Sequence, residues 1–507
     1  MYYVLRNIMS RTPEEWAKRW LDERRAQGVR GLTLDRKGNS HYVYWVTSMR
    51  VPELGYPRKI SQYIGILEPP GNLVISSDID VEKMDPRAIA AAGIDVERFR
   101  KRSVEIIDLR FRGPMEVFRK FGQDIYDALN VCFPKTSDDL FMLAMARIAG
   151  RGRLCQAGSW FEKQDNIMCL SPHRDPEKLS ESLKIAGGAR DAQNRFFEMF
   201  MTPGKKMAVD MTFCFSRGQT FIVKKGYNRF RLSCGQFNLV VICGLDDKLP
   251  QSIKTVPGNV KEGSILEILK EMNIGTDCIL VMDRGYFSED IMDTLHLAGY
   301  RFVIPVRRDS PLYGTVMLED SRGFKFRGNS IIYGIGEGYG FNAYRFENQF
   351  QRNTELSQMM GEEIIDEYGD VSVNYALDGD PSKAGNLILV TNLNEDPREL
   401  YTMFKLRCSV EECNDASKNV LAADSTYLRD SLSIMGYSLV TFIALRLYMS
   451  IEAWIASKDM TSKYSPSDVL FEYSTMMSAT TQSQTIPQVP PANVVKIEQD
   501  LGMKLFP

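Results

Sequence analysis

The sequence predicts an α/β fold, because short apolar strands alternate with amphipathic helices over its middle and C-terminal parts. The clearest unit is "DCILVMDRGYFSEDIMDTLHLAGYRFVIPV", which reads strand, loop, helix, strand. Its run 279–282 is the continuous apolar segment expected of a buried central strand. Two earlier stretches, "KKMAVDMTFCF" and "RFRLSCGQFNLVVICGLDDKLP", predict three more strands, the first of them ending around Asp210.

The composition is that of a globular protein with several structural units. The chain has 507 residues, 44% of them hydrophobic and 25% charged, and a formal net charge of -2. A polyanionic partner would therefore need local basic patches rather than a global field. The nine cysteines show no C-x-x-C spacing and there are three histidines, which argues against a cysteine-based zinc site and against a disulfide framework.

The sequence also predicts a cytoplasmic protein with no membrane partner. The start, "MYYVLRNIMSRTPEEW", lacks a basic segment followed by an apolar run, so we expect no signal peptide. The longest apolar stretch, "IMGYSLVTFIALRLYMSI", is interrupted by polar residues and by Arg446. It predicts a buried helix rather than a membrane span.

Two N-terminal regions are predicted before the α/β part. Region 1–82 combines a helix, with a start signal at Thr12-Pro13, and a small antiparallel sheet from about 41 to 67. Region 83–200 is mostly helical, and its stretch "RFRKRSVEIIDLRFRGPMEVFRKFG" is basic with interleaved aromatics. Either region could contact DNA, the first through Arg50, Arg58 and Lys59, or simply present solvated charges.

The remainder of the chain divides at changes in composition. Segment 201–312 forms the first part of the α/β core, and 313–395 is a Gly-rich, alternating stretch that predicts a β-strand-rich insertion. Segment 396–460 completes the core with two helices. The C-terminal tail, 461–507, includes a polar, Pro-containing stretch from about 478 that predicts a linker.

Candidate chemistry lies at two predicted strand ends and on one helix. Asp210 and Asp283 each follow a core strand, where ligands collect in open α/β sheets, although a single such Asp is typical of a turn. The stretch "FKLRCSVEECNDASK" predicts an amphipathic helix with an apolar back of Leu406, Val410, Cys413, Ser417 and Val420. At about 100° per residue, four charged residues share an arc of about 80°: Arg407, Glu411, Asp415 and Lys418.

This polar stripe has two interpretations. It could be a solvent-exposed face held by i,i+4 pairs such as Arg407 with Glu411. Alternatively, its carboxylates converge with Asp210 and Asp283 around Mg²⁺ ions, which prefer oxygen ligands. Two such ions activate a water or a 3′-hydroxyl and stabilise the leaving oxygen of a phosphodiester. The neighbouring cations would then bind phosphate groups: Arg407 through two parallel hydrogen bonds and Lys418 through its single positive charge.

These motifs, in this order, resemble a DDE transposase with an RNase H-like core, of the branch called insertion-sequence family four. The signature of that branch on its glutamate helix is Tyr-x2-Arg-x3-Glu-x6-Lys, and Arg407, Glu411 and Lys418 match it in type and spacing. "VDMT" with Asp210, "VPGN" before a helix, "MDRGYFS" with Asp283 and "LILVTNL" before the glutamate helix also fit. The resemblance covers about 200 to 455.

The resemblance implies a fold and a set of site residues. The fold would be an RNase H-like mixed sheet flanked by helices and interrupted by the β-rich insertion. Asp210, Asp283 and Glu411 would be the catalytic, metal-binding triad, holding two Mg²⁺ ions per active site, or Mn²⁺ in their place. The DNA-contacting residues would be Arg407, Lys418, Phe404, Tyr401 and Arg284.

The resemblance also implies partners and an activity. The protein would be the transposase of a prokaryotic insertion sequence, cutting the element's ends and joining the 3′-hydroxyls to target DNA. It would act as a homodimer on transposon-end DNA, in the cytoplasm and on the nucleoid. The insertion would help to hold the transposon end, with an aromatic such as Tyr333, Tyr339 or Phe341 stacking on a flipped base.

Three positions depart from the family pattern. Phe404 stands where the signature has tyrosine and cannot give a hydroxyl to a phosphate, although Tyr401 lies one turn earlier and could partly replace it. Position 414, often apolar in the family, is Asn. Asp415 is an additional carboxylate that could be a metal ligand, a partner for Lys418 or surface charge, and we interpret it as one of the last two. The alternatives are therefore a transposase-derived DNA-binding protein without catalysis, or a nuclease on the same core.

Overall fold

The computed structural model describes residues 13–50, 56–99, 106–201, 204–228, 232–359, 363–365, 371–373, 380–423 and 425–506. The chain forms two compact units, Met1–Glu105 and Ile106–Pro507. The predicted boundary at 82/83 lies inside the first unit, and the one at 200/201 lies inside the second. The basic residues 100–105 and the first 12 residues lie outside the described part.

The first unit is a helix packed on a four-stranded antiparallel sheet. The sheet has the order β1-β2-β3-β4, and its core includes Trp20, Trp45 and Ile64. The helix and small sheet match the sequence prediction. Arg58 and Lys59 are exposed on the third strand, while the Arg50 side chain lies outside the described part. The elements are α1 (Glu15–Ala26), β1 (Leu32–Lys37), β2 (Ser40–Arg50), β3 (Pro57–Glu68), β4 (Asn72–Ile75), α2 (Pro86–Ala92) and α3 (Val96–Phe99).

The second unit is built on an 11-stranded mixed sheet. Its strands are β6 (Lys206–Ser216), β7 (Lys224–Lys225), β8 (Gly235–Gly244), β9 (Pro250–Pro257), β10 (Ile279–Val281), β11 (Arg301–Pro305), β12 (Glu319–Phe326), β13 (Asn329–Gly338), β14 (Phe341–Asn348), β17 (Asn386–Thr391) and β18 (Ser425–Thr426). Smaller sheets contain β5 (Ile106–Phe111), β15 (Glu363–Ile365), β16 (Val371–Val373), β19 (Met477–Thr481) and β20 (Thr485–Pro487).

The centre of the large sheet contains the strands predicted from the sequence. β9, β8 and β6 are consecutive antiparallel neighbours, and β10 and β11 follow on the other side of β6 as parallel strands. Residues of β6 and β10 alternate between two apolar clusters, with Met207 and Val209 on one face and Ala208 on the other. Because both faces are covered, these strands are apolar throughout rather than alternating.

The β-rich insertion extends the same sheet rather than forming a separate one. β11 pairs antiparallel with β17, which pairs with β14, and β13 and β12 complete this side. All six residues of β17 are buried. The strand that precedes the glutamate helix, β17, therefore lies between β11 of the core and β14 of the insertion.

Helices cover both faces of the sheet. They are α4 (Gly113–Cys132), α5 (Ser137–Ile148), α6 (Leu154–Phe161), α7 (Pro176–Gly188), α8 (Arg190–Glu198), α9 (Ile265–Glu271), α10 (Glu289–Leu297), α11 (Leu312–Thr315), α12 (Gln349–Met359), α13 (Pro397–Leu406), α14 (Cys408–Asp415), α15 (Ser431–Ser457), α16 (Pro466–Ser474) and α17 (Ala492–Leu501). The helix α15 is long and apolar enough to cross a membrane, but 89% of its most apolar window is buried inside the protein, as predicted.

The C-terminal tail differs from the predicted linker. α16 begins with a capping box between Ser465 and Asp468, and β19 pairs antiparallel with β5, with Met477 opposite Phe111. Trp454 of α15 donates its indole N–H to the carbonyl of Leu501 at 3.0 Å. The tail is thus part of the helical layer: Pro487 ends β20, and Pro490 and Pro491 lie between β20 and α17 rather than in a free linker.

Candidate active site

The register between two parallel strands places the two predicted aspartates, Asp210 and Asp283, side by side. β10 runs parallel to β6, with Val281 opposite Ala208, so Asp283 and Asp210 lie at equivalent positions two residues beyond this pair. β10 ends at Val281, whereas β6 continues to Ser216. The prediction that the first strand ends around Asp210 was therefore wrong. Asp210 instead lies in mid-strand, where the neighbouring strand stops and leaves the edge of β6 open.

The glutamate helix is divided rather than continuous. α13 ends at Leu406 and α14 begins at Cys408, with Arg407 at the junction, and a π-helical turn covers Ala416–Val420. At the junction, the Cys408 thiol donates to the carbonyl of Lys405 at 2.6 Å, a side-chain bond that competes with regular helical pairing. The apolar back of the predicted wheel is retained, since Val410, Cys413 and Ser417 are buried.

Arg407 bridges two of the three carboxylates. Its Nη2 lies 2.5 Å from Glu411 Oε1 and 3.9 Å from Asp283 Oδ1. The i,i+4 pair weighed from the sequence does form, but it is not simply a surface pair, because the Arg407 side chain is 13% exposed. Its Nε is buried without a hydrogen-bond partner. Arg407 therefore neutralises the acidic side chains instead of extending freely toward a phosphate.

Asn414 provides the direct contact between the helix and Asp210. Its Nδ2 donates to Asp210 Oδ2 at 2.6 Å. Burial, followed by the charge of Asp283, raises the pKa of Asp210 to about 6, with Arg407 opposing and Glu411 reinforcing the shift. The three carboxylates thus act on one another, although they come from three separate segments of the chain. Asn414 had been noted only as a departure from the family pattern.

Two further residues at the site were missed by sequence reasoning. The Tyr286 hydroxyl is fully buried without a hydrogen-bond partner. Burial, and then the charges of Asp210, Glu262 and Asp283, raise the pKa of Tyr286 well above its usual value. The only sequence signal for Tyr286 is its place in "MDRGYFS". No sequence pattern marks Glu262, which lies just before α9, in a separate segment of the chain.

The remaining charged residues of the stripe have definite neighbours. The Lys418 ammonium lies 4.9 Å from the centre of the Phe213 ring, on the strand that carries Asp210. Asp415 is exposed and accepts a hydrogen bond from Asn419, which agrees with the surface-charge interpretation, whereas its predicted pairing with Lys418 stays a prediction. Arg284 begins the turn after Asp283, and its positive charge acts on Lys405, whose pKa is lowered chiefly by burial.

The assignment of Tyr401 to DNA binding is contradicted by the structure. Tyr401 is 1% exposed, and its ring packs against Phe324, Phe326 and Phe346 of the insertion strands. Its hydroxyl therefore cannot replace the missing tyrosine at Phe404. Phe404 is half-buried, with the Arg407 guanidinium 5.7 Å from its ring centre.

The aromatic candidates for base stacking differ in access. Phe341 is 8% exposed and packs against Phe302, and Tyr333 packs against Phe324 and Phe346. Tyr339 is half-buried and its ring lies edge-on to Phe287, in the loop that follows Asp283. Of the three, Tyr339 is the one whose ring contacts the segment that follows Asp283.

The basic stretch of the helical region is largely neutralised where it is described. Arg112 lies 2.8 Å from Glu116, and Arg119 lies 2.5 Å from the same carboxylate. Arg110 pairs with Asp108 at 2.6 Å. These three arginines are thus paired with carboxylates of the protein, and the binding of DNA by this stretch stays a prediction.

The donor set fits a hard divalent cation in its chemistry. Asp210, Asp283 and Glu411 offer only carboxylate oxygens, the ligands that Mg²⁺ and Mn²⁺ accept. Within the described residues, no three His, Cys, Asp or Glu side chains stand arranged to hold an ion. The arrangement that is present has Arg407 between Asp283 and Glu411, so this salt bridge and a shared cation would exclude one another.

Comparison with known proteins supports the class of protein that this site suggests. Residues 205–447, just under half of the chain, match the family model described as Transposase DDE domain. The matched range includes Asp210, Asp283 and Glu411. This confirms, for this segment, the resemblance to DDE transposases that the sequence predicted.

The other comparisons add little. A search of the curated proteins found no match. Among solved structures, the chain is similar to a cryo-EM structure of piggyBac transposase in a synaptic complex with hairpin DNA. The TM-score is 0.39 at 12% identity, over 71% of this chain and 79% of that chain. This likeness is distant.

Proposed function

We propose that the chain is the transposase of a prokaryotic insertion sequence, of the family-four type. It would cut phosphodiester bonds at the ends of its element and join the freed 3′-hydroxyls to target DNA. The observation that carries this proposal is the grouping of Asp210, Asp283 and Glu411 by three different elements, with their charges acting on one another. The match of 205–447 to the transposase DDE domain supports it.

The three carboxylates would hold two Mg²⁺ ions, which when bound polarise the phosphate and make a bound water or hydroxyl a stronger nucleophile. Asn414 holds Asp210 in place through its hydrogen bond. Arg407, once released from Glu411, offers a planar fork for a phosphate, and Lys418 a point charge further along β6. Arg284 adds positive charge beside Asp283.

The proposal extends to fold type, assembly and location. The order β9-β8-β6-β10-β11, three antiparallel strands and then two parallel ones, supports an RNase H-like core. Joining two element ends requires two active sites, so we propose a homodimer on transposon-end and target DNA. We further propose that it acts in the cytoplasm, on the nucleoid, where the DNA that it would cut is found.

A matched pair of variants tests the catalytic assignment. Glu411 and Glu412 are neighbours on α14, but Glu411 faces Arg407 while Glu412 lies 3.2 Å from Lys248. We expect Glu411→Gln to lower Mg²⁺-dependent cleavage of DNA carrying the element's ends by at least ~100-fold. Glu412→Gln should leave cleavage within about twofold of the wild type. Equal rates for all three proteins would rule out the triad.

A second candidate function has a specific observation in its favour. The salt bridge of Arg407 with both Glu411 and Asp283 is the arrangement expected if the chain binds DNA without cutting it. Wild-type protein that binds the element's ends but never cleaves them with Mg²⁺ or Mn²⁺ would support this candidate. Cleavage without joining in a strand-transfer assay would instead indicate a nuclease on the same core.

A further inference from the structure

A second polar feature of the larger unit is a cleft of about 1120 Å³ at the far end of β6. Its walls come from that strand end, the segment after the π-helical turn, the start of α6 and the start of α15. Four arginines line it, and of the described residues that line it none is Asp or Glu. The four are Arg147, Arg153, Arg217 and Arg429.

Arg147 distinguishes the cleft from a patch of exposed cations, because it is a buried arginine that lines the cleft. Its side chain is 3% exposed, and its guanidinium lies 4.3 Å from the centre of the Tyr437 ring. Nε donates to the carbonyl of Leu421 at 2.9 Å and Nη2 to that of Ala422 at 3.4 Å, while Nη1 has no partner. A buried guanidinium with an unused donor is costly unless an anion completes it.

The other three arginines are free to meet an anion. Arg153, Arg217 and Arg429 are exposed, and none of them forms a salt bridge with a carboxylate in the described part of the chain. The first turn of the eight-residue helix α6 also lines the cleft, at Leu154, Cys155 and Gln156, with no side-chain cap at Arg153. Positive side chains and a helix N-terminus both favour a negatively charged ligand.

We propose that this cleft binds the phosphodiester backbone of DNA several nucleotides away from the phosphate that is cut. The inference rests on the proposed function in taking DNA as the polyanion. Ser216, in the wall of the cleft, follows Asp210 on one strand at roughly 20 Å by the rise of a β-strand. That length corresponds to roughly six nucleotides of one DNA strand.

The extent of the cleft favours a polymer over a small anion. A single phosphate is satisfied by one or two arginine forks, whereas here four guanidinium groups come from four separate segments. The Lys418 ammonium, from the π-helical turn, lies over the ring of Phe213, which stands between Asp210 and Ser216 on β6. A positive group is therefore present along the strand between the carboxylates and the cleft, as a groove that follows a DNA backbone requires.

The test replaces the three exposed arginines together, by Arg153→Gln, Arg217→Gln and Arg429→Gln. Arg147 is left intact because it also holds two backbone carbonyls. Fluorescence anisotropy with labelled blunt duplex, and with the same duplex carrying a 3′ single-stranded tail, measures affinity over a range of salt without divalent metal. We expect affinity to fall, and the slope of log affinity against log salt to lessen by about two to three.

The control removes the same charge elsewhere in the same unit, by Lys135→Gln, Lys496→Gln and Lys504→Gln, all at exposed positions. This protein should keep the wild-type salt slope. An unchanged slope in the arginine variant would overturn the proposal. So would competition by inorganic phosphate that weakens DNA binding of the wild type and of the control at concentrations that leave the arginine variant unaffected, since it would mark a small-anion site.

Two readouts separate this inference from the proposed function. Cleavage by the Glu411→Gln protein reports on the catalytic assignment, whereas the salt slope of the arginine variant reports on the cleft. If no protein cleaves DNA but the arginine variant still loses its salt slope, the cleft stands and the catalytic assignment fails. If cleavage depends on Glu411 but the slope does not depend on the arginines, the reverse holds.

Discussion

The carboxylate site and the arginine cleft lie on the same strand and are opposite in charge and in completeness. At the carboxylate site, Arg407 already bridges Glu411 and Asp283, and Asn414 satisfies Asp210. In the cleft, no described carboxylate faces the arginines, and Arg147 retains an unused donor. The acidic site is thus closed by the protein's own cation, while the basic cleft is left to be completed by a ligand.

This contrast has a consequence for ligand binding at the two sites. A cation at the acidic site must compete with Arg407, whereas a phosphate in the cleft competes only with water. Binding of DNA in the cleft therefore depends on the arginines, whereas binding of metal depends on the carboxylates and on their competition with Arg407. The predictions below separate these contributions, beginning with the largest expected effect on cleavage.

Loss of the Asn414 contact should weaken catalysis most among the supporting residues. Asn414→Ala removes the hydrogen bond to Asp210 and leaves a partly buried carboxylate without its partner. We expect cleavage to fall by about 10- to 100-fold, as for other outer partners of metal ligands. Asn419→Ala is the control, because that residue donates to the exposed Asp415 instead. Rates for Asn414→Ala equal to those of the control would show that the contact does not support the site.

Removal of Arg407 should open the acidic site to metal. Arg407→Gln leaves Asp283 and Glu411 without their shared cation, so we expect Mn²⁺ affinity, measured by calorimetry, to rise by about fivefold. DNA cleavage should nevertheless fall, because the phosphate fork is lost. Arg398→Gln, at an exposed position on α13, controls for net charge. Weaker Mn²⁺ binding in Arg407→Gln would contradict the competition.

Neutralisation of Asp210 should stabilise the metal-free protein in a pH-dependent way. Its folded pKa of about 6 exceeds the unfolded value of 3.8, so the ionised side chain disfavours folding above pH 6 and has no such effect below 3.8. In urea unfolding with a chelator, Asp210→Asn should be more stable than the wild type by on the order of 2–3 kcal/mol above pH 6. The gain should disappear as the pH falls below 3.8. A gain that is the same at all pH values would exclude this cause.

The sequence was sufficient for those features that depend on local pattern. The apolar run 279–282, the Asp that follows it and the Arg-x3-Glu-x6-Lys spacing are all encoded in short stretches. Strand β10 and the site residues Asp283, Arg407 and Glu411 were therefore predicted, and the register of β10 with β6 explains why Asp210 joins them. The polar residues and Arg446 that interrupt its apolar run also predicted the burial of α15.

The features that could not be predicted depend on contacts between distant segments. Tyr401 lies on the polar side of a helical wheel, and only the insertion strands packed against it make it inaccessible. The bond from Asn414 to Asp210 joins residues 204 positions apart. The tail has linker-like composition, yet β19 is held by β5 through main-chain pairing, which side-chain pattern does not reveal.

The convergence of Asp210, Asp283 and Glu411 on a divalent cation is tested most directly by replacing that cation with Fe²⁺. With ascorbate and peroxide, bound iron generates hydroxyl radicals that cleave the polypeptide close to the ion. We predict backbone cuts near residues 210, 283 and 411, which are suppressed by excess Mg²⁺ and absent in Glu411→Gln. Cuts confined to other segments, or no Mg²⁺-sensitive cuts at all, would contradict the assignment of a shared metal site.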